Sequence, residues 1–138
     1  MSWTDSLIKL AGYEVEVLQK RLSEVVDRRL QAEMRLVMLE AEGESEALHA
    51  RQNPEAAQYH MAFVEGLRAR KAIAQIDIDR ILLEEAGARD VLALAFEEQK
   101  KYEQVAEAQR LDRLRTANRL ETAAMDEMGL RRTARAGR

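Results

Sequence analysis

Pro54 is the single proline in a chain of 138 residues, and the one residue that must interrupt a helix. Proline breaks a helix interior but is favoured at the first helical position, where its missing N–H costs nothing. The residue before it, Asn53, is pushed out of the α region and is itself a good N-cap. Residues 51–54 therefore read as a hinge. Capping and fraying signals predict one helix over 5–50, started by Thr4 or Asp5, and a second over 54–132. Residues 133–138, which contain Gly137, are expected to fray.

On both sides of the hinge the chain is built from helix formers. Aromatics are 4% and glycines number six, so neither a thick core nor a sheet is available. The expected fold is all-α: one elongated domain over 1–138, an antiparallel two-helix coiled-coil hairpin with a longer second helix. Its core would be a seam one or two residues wide.

The first helix carries that seam openly. Ile8, Ala11, Val15, Leu18, Leu22, Val25, Ala32, Leu36 and Leu39 follow alternating steps of three and four. Arg29 stands where an apolar residue is due. Val26, Leu30, Met34, Val37 and Met38 broaden the stripe around it. Gly43 also falls on the seam, and its helix penalty of roughly 1 kcal/mol predicts loosening between it and the hinge.

In the second helix Tyr59, Phe63 and Leu67 recur every four residues, either sealing the hairpin tip or offering a docking patch. Ile73, Ile76, Ile78, Ile81, Leu82 and Leu83 are apolar on more than one side, and the heptad is expected to slip near Gly87. Folding at Asn53 pairs residues whose numbers sum to about 106. That sets Ile8 near Glu98, Val15 near Val91 and Leu39 near Leu67, and leaves everything beyond about Tyr102 without an internal partner. The unpaired part still has an apolar stripe: Leu111, Leu114, Ala117, Leu120, Ala124 and Met128. It is also basic. Arg110, Arg113, Arg115, Arg119, Arg131, Arg132, Arg135 and Arg138 face only Asp112, Glu121, Asp126 and Glu127.

Catalysis finds no footing. There is no cysteine for a nucleophile, disulfide or thiolate metal site. No serine has a fitting His and acid, and no glycine-rich phosphate loop exists. Glu46 and His49 form a lone Glu-x-x-His, where a di-iron bundle needs two with further glutamates. No enzyme activity, metal or cofactor is expected. A net charge of −3 argues against general nucleic-acid binding. Apolar runs too short to span a bilayer, and an opening without a secretory pattern, make the cytoplasm the expected location.

Several motifs together resemble the flagellar FliJ family, the stalk proteins of the bacterial type III export apparatus. Ser6, Leu7, Ile8, Lys9 and Leu10, followed by Tyr13, Glu14 and Val15, are similar to the family's opening. The hinge followed by Tyr59, Phe63 and Leu67 is similar to its aromatic segment after the turn. Phe96 to Glu103 matches a Phe-x-x-x-Lys-Lys-x-Glu run, and Glu121 to Glu127 with Arg131 and Arg132 resembles its Asp-Glu-plus-basic ending.

The resemblance implies an antiparallel coiled coil similar to the stalk of rotary ATPases, assisting flagellar assembly and motility. It implies binding to the hexameric export ATPase through Leu7, Ile8 and Tyr13 together with Leu120, Met125, Asp126, Glu127, Arg131 and Arg132. It implies contact with the cytoplasmic domain of the export gate near Tyr59, Phe63 and Leu67, and further contact with export chaperones. The chain would then sit at the cytoplasmic face of the inner membrane through partners only. The equivalent stalk of a virulence injectisome and a generic coiled-coil scaffold or dimerisation module are the alternatives. The unequal arms favour a stalk over a self-pairing scaffold.

Overall fold

A computed structural model describes residues 3–137, so Arg138, counted above in the basic tail, lies outside the described residues. It contains two helices, α1 (Trp3–Gln52) and the longer α2 (Pro54–Ala136), and no strand among the described residues. Asn53 alone separates them. Its Oδ1 accepts the N–H of Glu55 at 3.0 Å, which caps α2, and Pro54 takes the first helical position. The Asn53 N–H in turn donates to the His49 carbonyl at 3.0 Å and closes α1. Thr4 is not a cap. It lies within α1, with its side chain directed to α2.

Internal contacts divide the chain into a hinge unit, Glu14–Leu94, and a terminal unit, Met1–Tyr13 with Ala95–Arg138. In the hinge unit the α1 seam falls on the expected residues: Val15, Val25 and Ala32 are buried, with Leu18, Leu22, Leu36 and Leu39 half-buried between them. Opposite them α2 offers Leu67, Ala74, Ile78, Ile81, Glu85, Ala88 and Leu92. The packed centre is Val25, Ala32, Ile78 and Ile81, with Leu36 against it. Burying each Val or Ile there contributes about 1.5–3 kcal/mol.

Two expectations fail in this unit, and a third reading is met. The seam passes Gly87 without a slip, because Ile81, Glu85, Ala88 and Leu92 keep the three-four alternation and Gly87 is exposed beside it. The stretch from Ile73 to Leu83 is apolar on more than one side as expected, with Ile78 and Ile81 buried and Ile73, Ile76 and Leu83 67%, 59% and 77% exposed. α1 does not loosen after Gly43 but stays helical to Gln52.

The register also differs, by four to six residues or about one to two turns. Leu67 reaches Gly43 rather than Leu39, while ion pairs join Arg35 to Asp77 and Glu42 to Arg70. The cause is the one-residue break. One helix must run on to cross the roughly 8–10 Å between packed axes. His60 and Val64 of α2 already lie beside Gly43 and Ala47 of α1.

In the terminal unit α1 lies on residues 95–109 of α2. Thr4, Ala11 and Ala95 are buried, and Leu7, Ile8, Gln99, Tyr102, Ala106 and Gln109 are half-buried. The Thr4 hydroxyl donates to Gln109 Oε1 at 3.2 Å. Pairing therefore extends to Gln109, seven residues or about two turns beyond the expected Tyr102, an advance of α2 in the same direction. From Arg110 onward every described residue is exposed. The helix nonetheless runs to Ala136 instead of fraying at 133. Residues 133–136 include no breaker, and Gly137 donates to the Thr133 carbonyl at 3.0 Å.

Candidate functional site

The post-hinge residues Tyr59, Phe63 and Leu67 do not form one exposed stripe. A spacing of four advances about 40° around a helix, so the set rotates from solvent into the seam. Tyr59 is 69% exposed, Phe63 is half-buried and Leu67 is 6% exposed. Leu67 seats over Gly43, where an added Cβ would come within 2.6 Å of its Cδ2. Gly43 is thus a socket for Leu67. The Arg70 guanidinium covers Phe63 at 5.9 Å from the ring centroid, a cation–π contact. Tyr59 is left as the most available of the three.

At the other end the candidates split into two groups. Leu7 and Ile8 are half-buried in the seam and Tyr13 is 56% exposed. Leu120 and Met125 are 68% and 66% exposed, and Asp126, Glu127, Arg131 and Arg132 are exposed beside them. Because α1 packs on α2 only as far as Gln109, at least about 16 Å of helix separates these groups.

Charges on the exposed part of α2 are only partly neutralised. Arg110 pairs with Glu107 at 2.7 Å and Arg131 with Glu127 at 3.0 Å. The hydrogen bond from Arg110 is the main cause that holds the Glu107 carboxyl below its usual range. Arg115, Arg119, Arg132 and Arg135 have no acidic partner among the described residues, and they stand beside exposed Leu114, Leu120 and Met128.

Sequence reasoning placed Arg29 on the seam but missed what it does there. Its Nε lies 3.0 Å from Glu85 Oε2, and its Nη1 donates to Glu33 at 3.0 Å. Glu85, 7% exposed, is held also by Arg89 at 3.3 Å. This is a polar layer inside an apolar seam. Such layers specify register in coiled coils more than they stabilise them. The signal was Arg29 itself, a cation that needed an acid on the facing helix.

No group of three or more His, Asp or Glu side chains suited to a metal occurs among the described residues. What the chain offers is surface on helices. The family model described as Flagellar FliJ protein matches residues 4–138. The chain belongs to the flagellar FliJ family. It is 46% identical over 136 residues to the Flagellar FliJ protein of Caulobacter vibrioides strain NA1000 / CB15N, covering 99% of this chain and 98% of the relative. The same protein from strain ATCC 19089 / CIP 103742 / CB 15 matches equally. No solved structure matches. FliJ membership assigns the chain to flagellar assembly and type III export, and its helical hairpin fits the coiled coil expected from the heptads.

Proposed function

We propose that this FliJ chain is the coiled-coil stalk of the flagellar export apparatus, with its tail bound to the hexameric export ATPase and its hinge end bound to the export gate. One observation carries the reading: residues 110–136 continue α2 for about 40 Å, every side chain exposed and no packing partner among the described residues. An amphipathic helix that is finished but unburied is a ligand for something else.

In this reading the tail enters the ATPase ring. Leu120 and Met125 supply apolar contact, and Asp126, Glu127, Arg131 and Arg132 set register against the ring's charged loops. Charge contacts of this kind govern encounter and orientation more than affinity. Leu7, Ile8 and Tyr13 form a second contact further along the stalk, with Tyr13 the accessible member. An asymmetric helix in a ring stabilises its subunits in different nucleotide states, so it regulates turnover without touching nucleotide. At the hinge, Tyr59 and Phe63 contact the cytoplasmic domain of the gate while Leu67 holds the tip closed. Export chaperones dock on the same exposed helical surfaces. The protein works in the cytoplasm, at the inner face of the membrane, through these partners. No described helix is long and apolar enough to cross a membrane.

ATPase stimulation by the full chain, and by a chain ending at Gln109, tests the tail. Stimulation by the first and its loss in the second are expected. Undiminished stimulation by the truncated chain would sink tail insertion. For the gate, Tyr59→Ala with Phe63→Ala should weaken binding and leave helicity intact.

A further inference from the structure

One flank of the hinge unit carries a groove of about 570 Å³ that the hairpin does not need for its own packing. Its floor is Leu39 and Ala74, and its wall is Ile73 and Ile76. The seam at this level is already filled by Ala74 and Ile78, both 5% exposed. Ile73 and Ile76 nevertheless point outward, 67% and 59% exposed. They sit three residues apart, the spacing of a helical stripe.

The rim is cationic. Arg35, Arg70 and Arg80 surround the apolar wall against the single acid Asp77. Arg80 has no ion-pair partner among the described residues. Arg35 reaches Asp77 only at 3.7 Å, and Arg70 reaches Glu42 only at 3.5 Å. These two pairs are long and solvated, so Arg35 is free to turn toward a partner's carboxylates, whereas Arg70 also covers Phe63.

We propose that this groove docks an amphipathic helix of a partner protein whose apolar stripe is flanked by acidic residues. A helix laid in the groove would set its apolar side chains against Ile73 and Ile76 and its carboxylates against the arginine rim. The same charge argument excludes the tail of a second copy, whose stripe is flanked by arginines. Tyr59, Phe63 and Leu67 do not line the groove, but Arg70 on its rim also covers Phe63, so the test relies on Ile73, Ile76 and Arg80.

The test is fluorescence anisotropy on the full-length chain at low salt. The probes are two labelled helical peptides of about 20 residues with leucines at heptad spacing, one flanked by glutamates and one by lysines. The glutamate peptide should bind at least about tenfold more tightly than the lysine peptide. Ile73→Asp with Ile76→Asp should abolish that binding while circular dichroism stays unchanged, since both side chains are exposed. Arg80→Glu should reduce the preference for the glutamate peptide. Equal binding of the two peptides, or binding untouched by the Ile73→Asp and Ile76→Asp changes, would overturn the proposal. So would sedimentation showing self-association that those two changes remove, because the occupant would then be a second copy.

Discussion

The two units use one heptad spacing with different residues. In the hinge unit the seam holds Val25, Leu36, Ile78 and Ile81 around a polar layer of Arg29 and Glu85. In the terminal unit Leu7, Ile8 and Tyr102 are only half-buried, the other seam positions, Thr4, Ala11, Ala95, Gln99, Ala106 and Gln109, are small or polar, and the fully buried side chain is a threonine. Spacing decides that two helices meet. Side-chain size decides how firmly. The difference assigns stability to the hinge unit, and it leaves the terminal unit, with the bare helix beyond Gln109, to partners.

The largest effect expected from this contrast is on denaturant stability. Ile78→Ala removes a branched side chain from the packed cluster and should lower urea stability by about 2–4 kcal/mol. Gln99→Ala, at an equivalent seam position in the terminal unit, should change it by less than about 1 kcal/mol. Equal losses would erase the distinction. Next in size is the polar layer. Arg29→Leu leaves Glu85 buried with only Arg89 and should cost about 2–3 kcal/mol by thermal melting. Arg29→Leu with Glu85→Leu should recover most of that loss, at the cost of register uniqueness that cross-linking between engineered cysteines would reveal.

Gly43 sharpens the contrast further. Alanine there gains roughly 1 kcal/mol of helix propensity but drives its Cβ into Leu67. Thermal melting of Gly43→Val should show a clear net loss, whereas Gly129→Ala in the tail, where a Cβ meets nothing, should raise helicity slightly. The smallest effect belongs to the exposed pair of Arg28 and Glu84. The hydrogen bond from Arg28 is the main cause that lowers the Glu84 carboxyl. Its contribution is therefore complete above the usual carboxylate range near about 4.3 and is lost as pH falls through the lowered value. Added salt and Glu84→Gln should each flatten that part of the acid titration.

Much of the fold was legible, for reasons that individual residues explain. The α1 seam could be read because large apolar side chains stand on it. The hinge could be read because Asn53 and Pro54 each have one favoured backbone role. The α2 seam was hidden because it uses Ala74, Ala88, Ala95 and Ala106, while Ile73, Ile76 and Leu94 stand off it. Hydrophobicity pointed to the wrong face, and the apparent slip at Gly87 was the result. The register offset of one to two turns was invisible because counting from Asn53 assumes that both helices turn toward each other at once. The tip candidates were found as residues, but their 40° drift separated exposed Tyr59 from buried Leu67. The arginine-rimmed groove was not seen, because Arg35 and Ile73 meet only in the true register.

Hydrogen exchange on the full-length chain, alone and with the purified export ATPase, tests the division most directly. Alone, amides in 25–36 and 74–85 should be the most protected, and those in 3–12 and 110–136 should exchange orders of magnitude faster. With the ATPase, protection should rise in 110–136 and stay unchanged in 25–36. Uniform protection of the free chain, or an ATPase footprint on 25–36 that spares the tail, would contradict the account.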